Sequence, residues 1–138
     1  MIYKTRDFGE REIPDSKILI FKQPIFGFDD YKRYTLIFDE EIGEQIVWLQ
    51  SLEEPTLCFL LFDPSTFEAF YKPEITSETE KILGEGDYAC WVVLSVKEDF
   101  NDSTVNLKSP VVINTSTGIA VQTILEQDYP VRHPVLEG

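Results

Sequence analysis

The sequence has little of the chemistry from which most enzyme sites are built. Its 138 residues include one histidine, His133, and two cysteines, Cys58 and Cys90, which lie far apart and form no C-x-x-C pair. A zinc site needs several nitrogen or sulfur ligands close together, so none is predicted. The seven glycines are scattered, and no dinucleotide-binding, phosphate-binding or G-x-S-x-G motif occurs. No catalytic residue, metal or cofactor is therefore expected.

Long hydrophobic runs and positive charge are also scarce. The longest apolar run, Leu57 to Phe62, is much too short to cross a bilayer, and the N-terminus does not resemble a signal peptide. A cytoplasmic location is therefore expected, with both cysteines reduced. Lys and Arg total 12 against 25 Asp and Glu, which gives a formal net charge of -13. Such a surface repels nucleic acid and anionic membranes and attracts basic proteins.

What the sequence does contain is a series of short apolar runs rich in β-branched and aromatic residues. Turn residues separate these runs, and NTSTG (114–118) and DFNDS (99–103) are expected to be turns. The pattern predicts a mainly β, single-domain, antiparallel β-barrel-like fold over residues 1–138. YTLIF and LCFLLF are apolar enough to be covered on both faces. The predicted strands are KILIF, YTLIF, IVWLQ, LCFLLF, YACWVVLSV, VVIN and IAVQTIL.

One short helix is predicted after residue 76. Ser77 and Glu80 fit a capping box, in which the Ser77 hydroxyl accepts from the Glu80 amide while the Glu80 carboxylate bonds the Ser77 amide. Gly84 is suited to end the helix after about two turns.

The segment YPVRHP, Tyr129 to Pro134, holds the only histidine. His133 is either a general base or a ring packed in a proline-stiffened strap, and the strap is favoured because no nucleophile with a recognisable motif accompanies it. In the strap interpretation Tyr129 and Val131 dock on the fold, and Arg132 pairs with an acidic residue.

Four stretches of the chain carry a distinctive combination of residues: IVWLQSLEEP (46–55), LCF (57–59) with Asp63-Pro64, NLKSPVVIN (106–114) and YPVRHP (129–134). Together they resemble the FliW family of flagellar assembly factors, and the resemblance extends from one end of the chain to the other. One loop departs from the family pattern: Lys22, Pro24 and Phe26 replace a Pro, a Gly and a Pro, which leaves the conformation from Lys22 to Phe28 open.

The resemblance implies a non-enzymatic protein, monomeric when free, that binds flagellin. It also implies binding to CsrA, a basic RNA-binding repressor of flagellin translation, at a place away from the RNA contacts. Accumulated flagellin would then draw the protein off CsrA. Two alternatives stay open: a chaperone for flagellin alone, and a hydrolase with two carboxylates in a barrel mouth.

Six residues in or beside the matching stretches are candidates for partner binding. The polar residues at strand ends either form turn hydrogen bonds or face a partner, whereas the loop acids would pair with a partner's Lys or Arg. Trp48 and Trp91 lie in apolar runs and are expected in the core. The candidates are Gln50, Glu53, Glu54, Asp63, Asn106 and Asn114.

Overall fold

A computed structural model describes residues 1–136, which form eleven strands and one α-helix. All seven predicted runs form strands, β3 to β7, β9 and β10. The other four strands are only two or three residues long, too short to show an alternating pattern. The elements are β1 (Ile2–Lys4), β2 (Glu10–Glu12), β3 (Leu19–Gln23), β4 (Arg33–Ile37), β5 (Ile46–Ser51), β6 (Cys58–Phe62), α1 (Ser77–Leu83), β7 (Tyr88–Ser95), β8 (Thr104–Val105), β9 (Val111–Asn114), β10 (Ile119–Gln122) and β11 (His133–Pro134).

Seven of these strands close into a barrel. Around the ring the order is β7, β6, β5, β4, β3, β10, β9, and β9 pairs back onto the first half of β7. The second half of β7 pairs with β8, which pairs with β11, while β1 and β2 form a separate ribbon. The predicted barrel is confirmed, with one parallel pair, β3–β10. An odd number of strands cannot alternate direction around a closed ring, so one parallel pair is unavoidable.

Alternation along each strand fills the barrel and also covers its outer face. On β9, Val111 and Ile113 belong to the interior cluster, whereas Val112 packs outside with Leu83 of α1. On β7, Val93 packs on the interior cluster and the neighbouring Val92 lies in the outer layer. Because both faces are covered, these strands read as nearly continuous apolar runs.

Both predicted turns are present. Residues 115–118 connect the antiparallel strands β9 and β10, and Gly118 there has φ +83°. A Cβ on Gly118 would lie 2.8 Å from the carbonyl oxygen of Ile18, so the turn needs glycine for space as well as for φ. In the second turn the Asp99 side chain accepts from the Asn101 amide at 2.9 Å.

The predicted helix is present and ends at Gly84, but its capping assignment was wrong by one residue. Thr76 is the N-cap, and its hydroxyl accepts from the Thr79 amide at 3.2 Å. The Glu80 amide already bonds the Thr76 carbonyl oxygen as the first turn of the helix, so it cannot donate to the Ser77 hydroxyl as predicted.

The C-terminal segment is a strap on the outer layer, as expected. The Tyr129 ring packs on Tyr71 with centroids 4.7 Å apart, and His133, in β11, packs edge-on against Phe67 at 5.0 Å. Two details were wrong. Val131 is 59% exposed and so does not dock on the layer, and within residues 1–136 no carboxylate pairs with Arg132.

The loop that departs from the family pattern is a defined turn. Ile25 is buried in the barrel interior, and the Gln122 side chain accepts from the Phe26 amide at 2.9 Å. Gly27 follows with φ +87°, and the Phe28 ring packs edge-on against Phe59. The loop therefore closes one end of the barrel.

Candidate partner-binding site

Gln50 lies on the outer face of β5 and is fully buried. Its Oε1 accepts from the Arg6 amide at 2.9 Å, and its Nε2 donates to the carbonyl oxygens of Ser51, Pro55 and Leu57 at 3.0 to 3.3 Å. One side chain thus holds both the N-terminal ribbon and the β5–β6 turn. Of the two roles left open by the sequence, the geometry supports the turn hydrogen bonds, because Gln50 offers no surface to a partner.

Trp48 lies two residues before Gln50 on the same face of β5. It contacts Phe8, which lies in the turn between the ribbon strands β1 and β2. The Phe8 ring meets the Trp48 ring edge-on, with centroids 5.1 Å apart, and the Arg11 guanidinium lies 5.2 Å from the centre of the Phe8 ring. Trp48 is half-buried under the ribbon and Trp91 is half-buried at the edge of the interior cluster. The expectation that both lie in the core is therefore met only in part.

Glu53 and Glu54 follow in the β5–β6 turn and differ in what they bind. Glu53 Oε1 accepts from the amides of Lys32 and Arg33, at 2.6 and 2.8 Å, so an exposed carboxylate fixes the entry into β4. Both glutamate amides donate to the Ser51 hydroxyl. The Glu54 carboxylate accepts no hydrogen bond within residues 1–136, and it is partly exposed.

Asp63 lies at the opposite end of β6. Its Oδ1 accepts from the Ser65 amide at 2.9 Å, which caps the 3-10 turn Pro64–Phe67. Its own amide donates to the carbonyl oxygen of Gln45, next to the acidic β4–β5 loop. The six candidates are therefore divided between the two ends of the barrel instead of forming one cluster.

Asn106 and Asn114 also bond to their own chain. Asn106 Oδ1 accepts from the amides of Lys108 and Ser109, at 3.1 and 3.0 Å. Asn114 is fully buried; its Nδ2 donates to the carbonyl oxygens of Leu83 and Glu85 at 2.8 and 3.0 Å and so ties the end of α1 to the barrel. These contacts again support the turn-forming role.

A groove of about 660 Å³ lies at the barrel end that carries the β9–β10 turn. Its walls are the connection from β2 to β3, residues 35–38 and residues 113–118. Its charged lining is balanced, with Arg11 and Lys17 against Glu12 and Asp15. Sequence reasoning missed this groove, because it depends on where β3 separates from β4 and no motif marks that point.

Carboxylates stay at the surface throughout residues 1–136. None of the Asp or Glu side chains there is buried, and no three His, Cys, Asp or Glu side chains come together in a way that could hold a metal ion.

Burial raises the pKa of the Cys58 thiol to about 11 and that of the Cys90 thiol to about 12. Both cysteines are therefore neutral thiols at pH 7, and neither is bonded in a disulfide. Within residues 1–136 no helix has the length and hydropathy needed to span a bilayer.

Known proteins match this chain over nearly its whole length. A family model described as FliW protein matches residues 2–135. The flagellar assembly factor FliW of Lachnospira eligens is 35% identical, over 99% of this chain and 95% of that protein. The protein of the same name from Lachnoclostridium phytofermentans is 38% identical, over 99% of this chain and 92% of that protein. A crystal structure of a flagellar assembly factor FliW superposes with a TM-score of 0.90 at 32% identity, covering 100% of this chain and 99% of that one.

Proposed function

The chain belongs to the FliW family of flagellar assembly factors, and on that premise we propose that it binds flagellin and CsrA in turn and so adjusts flagellin synthesis. A flagellar assembly factor is a non-enzymatic protein, as the sequence predicts. In the proposed cycle, CsrA held by this protein cannot repress its message. Accumulated flagellin then takes the protein away and releases CsrA.

The observation that carries the CsrA part is the placement of the charge. The formal net charge is -13, and every Asp and Glu within residues 1–136 is at least partly exposed. Exposed carboxylates produce a negative field around the protein, which accelerates encounter with a basic partner and weakens as salt is added. Flagellin is not expected to be strongly basic, so shape and apolar contact would dominate that complex.

Of the six candidate residues, the three acids would contact a partner and the three amides stabilise the fold. Glu54 is the candidate with a carboxylate available for pairing, and Asp63 and Glu53 keep exposed oxygen atoms beside the bonds they make. Gln50 holds the β5–β6 turn that presents Glu53 and Glu54. Asn106 and Asn114 hold other parts of the barrel, the chain before β9 and the end of α1.

The cellular location and the oligomeric state are also part of the proposal. We place it in the cytoplasm, as a single domain that is monomeric when free and contacts neither nucleic acid nor membranes directly. Its charge supports the last two points, because phosphate groups would be repelled.

Binding assays on the two partners separately would test the proposal. Isothermal titration of the purified chain with CsrA at rising salt should show a Kd that increases about tenfold between 50 and 500 mM NaCl. Flagellin should bind with a smaller dependence on salt. Binding of flagellin without CsrA would favour a chaperone for flagellin alone, and binding of neither would refute the proposal.

A further inference from the structure

The groove at the barrel end is bounded by an unpaired stretch of β4. Backbone pairing of β3 with β4 ends at Leu19↔Tyr34, because the chain before Leu19 turns away through Asp15–Lys17. One side-chain contact with β4 remains there, since the Thr35 hydroxyl donates to the Lys17 carbonyl oxygen at 2.8 Å. Beyond that point β4 continues for three residues with β5 on one side only. Leu36 and Phe38 line the groove there.

The register identifies which backbone groups point into the groove. The Leu52 amide bonds the Arg33 carbonyl oxygen, so Arg33 and the alternate residues Thr35 and Ile37 face β5. The amide and carbonyl of Leu36 and the amide of Phe38 therefore point the other way. Within residues 1–136 these three groups have no hydrogen-bond partner, and they have the spacing that a further strand would meet.

The side chains beside this edge are also suited to an added strand. Leu36 packs on the interior cluster, and the Phe38 ring lies 6.4 Å from that of Trp91 while remaining 56% exposed. A strand paired with β4 would place alternate side chains over these apolar groups at the barrel mouth.

The acidic residues next to this edge favour an added strand that is basic. The groove lining is balanced, but the edge leads directly into the β4–β5 loop, which carries four acids and no Lys or Arg between residues 38 and 46. These acids are Asp39, Glu40, Glu41 and Glu44. A segment paired with β4 and continuing past Phe38 would lie along them, and its own basic residues would compensate their charge.

We propose that this edge accepts an extended segment of a basic partner protein by strand addition, with apolar side chains over Leu36 and Phe38 and Lys or Arg beside the acidic loop. This inference deepens the proposed function and rests on it for the expectation of a basic partner. It adds a location, a backbone register and a side-chain pattern.

A synthetic peptide of alternating Val and Thr with three Lys at each end is a suitable probe, since it is basic whichever way it runs, and a Glu-ended peptide is its control. Amide exchange followed by NMR should slow about tenfold or more at Leu36 and Phe38 when the Lys peptide binds, as expected for newly bonded amides. The Ile37 amide, already bonded to β5, is the internal control and should not change. The Glu peptide should have no effect.

Two substitutions separate the backbone from the side chain. Both Phe38→Ala and Phe38→Pro remove the ring, but only the proline removes the amide that faces the groove, and neither affects a bond to β5. Phe38→Pro should bind the Lys peptide about tenfold more weakly than Phe38→Ala, the loss expected for one hydrogen bond. Melting curves would establish that both variants fold.

Three results would overturn the inference: equal binding by the two variants, no binding of the Lys peptide at millimolar concentration, or protection of Leu36 without peptide in a sample that light scattering shows to be dimeric. The last result would make a second copy of the chain the occupant. If the peptide fails while CsrA still binds in the titration, the groove assignment is wrong and the proposed function stands. If CsrA and flagellin both fail to bind, the proposed function itself is wrong.

Discussion

The Arg6 amide donates to Oε1 of Gln50 at 2.9 Å, across 44 positions of sequence. This bond joins the N-terminal ribbon to the end of β5 in the barrel wall. The same Gln50 side chain donates to three carbonyl oxygens of the β5–β6 turn. The glutamine in the W-L-Q stretch is therefore the point where ribbon, strand and turn are held together.

Replacing Gln50 with Leu should destabilise the protein substantially. The substitution keeps the size of the side chain but leaves the Arg6 amide and the turn carbonyls without partners, so we expect the free energy of unfolding to fall by about 3 kcal/mol. Gln45→Leu is the matched control, because Gln45 precedes the same strand, is exposed, and its side chain bonds only the Thr66 hydroxyl within residues 1–136. Urea denaturation would measure both, and an equal, small effect would contradict the role given to Gln50.

The neighbouring acids Glu53 and Glu54 allow structure and partner contact to be separated. Glu53→Gln weakens two charge-assisted bonds to the amides of Lys32 and Arg33, and should lower the free energy of unfolding by about 1 kcal/mol. Glu54→Gln should leave stability unchanged and weaken CsrA binding about twofold. Denaturation and titration of both variants would test this, and a stability loss confined to Glu54→Gln would reverse the assignment.

Gly118 is needed for a close approach as well as for its backbone angle. Gly118→Ala should cost about 3 kcal/mol, since the new Cβ meets the Ile18 carbonyl oxygen in addition to the strain of a positive φ. Gly9→Ala is the control: Gly9 has φ +65° with open space around its Cα, and should cost about 1 kcal/mol. Thermal or urea unfolding would compare them, and equal costs would show that the contact yields easily.

Stability should fall at alkaline pH because the folded state keeps both thiols protonated. Their pKa values rise from 9.0 to about 11 for Cys58 and about 12 for Cys90, so the unfolded chain releases these protons first. The protonated thiols therefore make their full contribution to the free energy of unfolding below pH 9, and this contribution is lost as the pH rises toward 11 and 12. Between pH 9 and pH 10 the natural chain should lose about 1 to 2 kcal/mol more than a Cys58→Ala, Cys90→Ala double variant, with most of the loss due to the more deeply buried Cys90. Parallel pH profiles of the two proteins would contradict the assignment.

The strands of the barrel were predictable from sequence, but the short strands that pack outside the barrel were not. IVWLQ, LCFLLF and VVIN alternate between two buried faces, so they read as strands without any tertiary information. The ribbon strands IYK and ERE and the two-residue strand HP have no such pattern, and their pairing depends on the rest of the fold. The helix position was predictable to one residue, because Thr76 and Ser77 are both good capping residues and only the backbone selects between them.

The same limit applies to the candidate site. Gln50 and Asn114 were identified as notable polar residues, but whether each faces solvent depends on what covers it, the ribbon in one case and the end of α1 in the other. The open edge of β4 carries no sequence signal at all. It exists because the chain before Leu19 turns away from its neighbour, which is a property of the packed barrel.

Partner exchange can be measured directly by competition. Labelled CsrA bound to this protein would be titrated with flagellin while anisotropy reports bound CsrA and a second channel reports CsrA binding to its RNA. We expect flagellin to release CsrA as it occupies the protein, and RNA binding by CsrA to recover in step. A stable complex of all three proteins, with CsrA still held and RNA binding still suppressed, would contradict it.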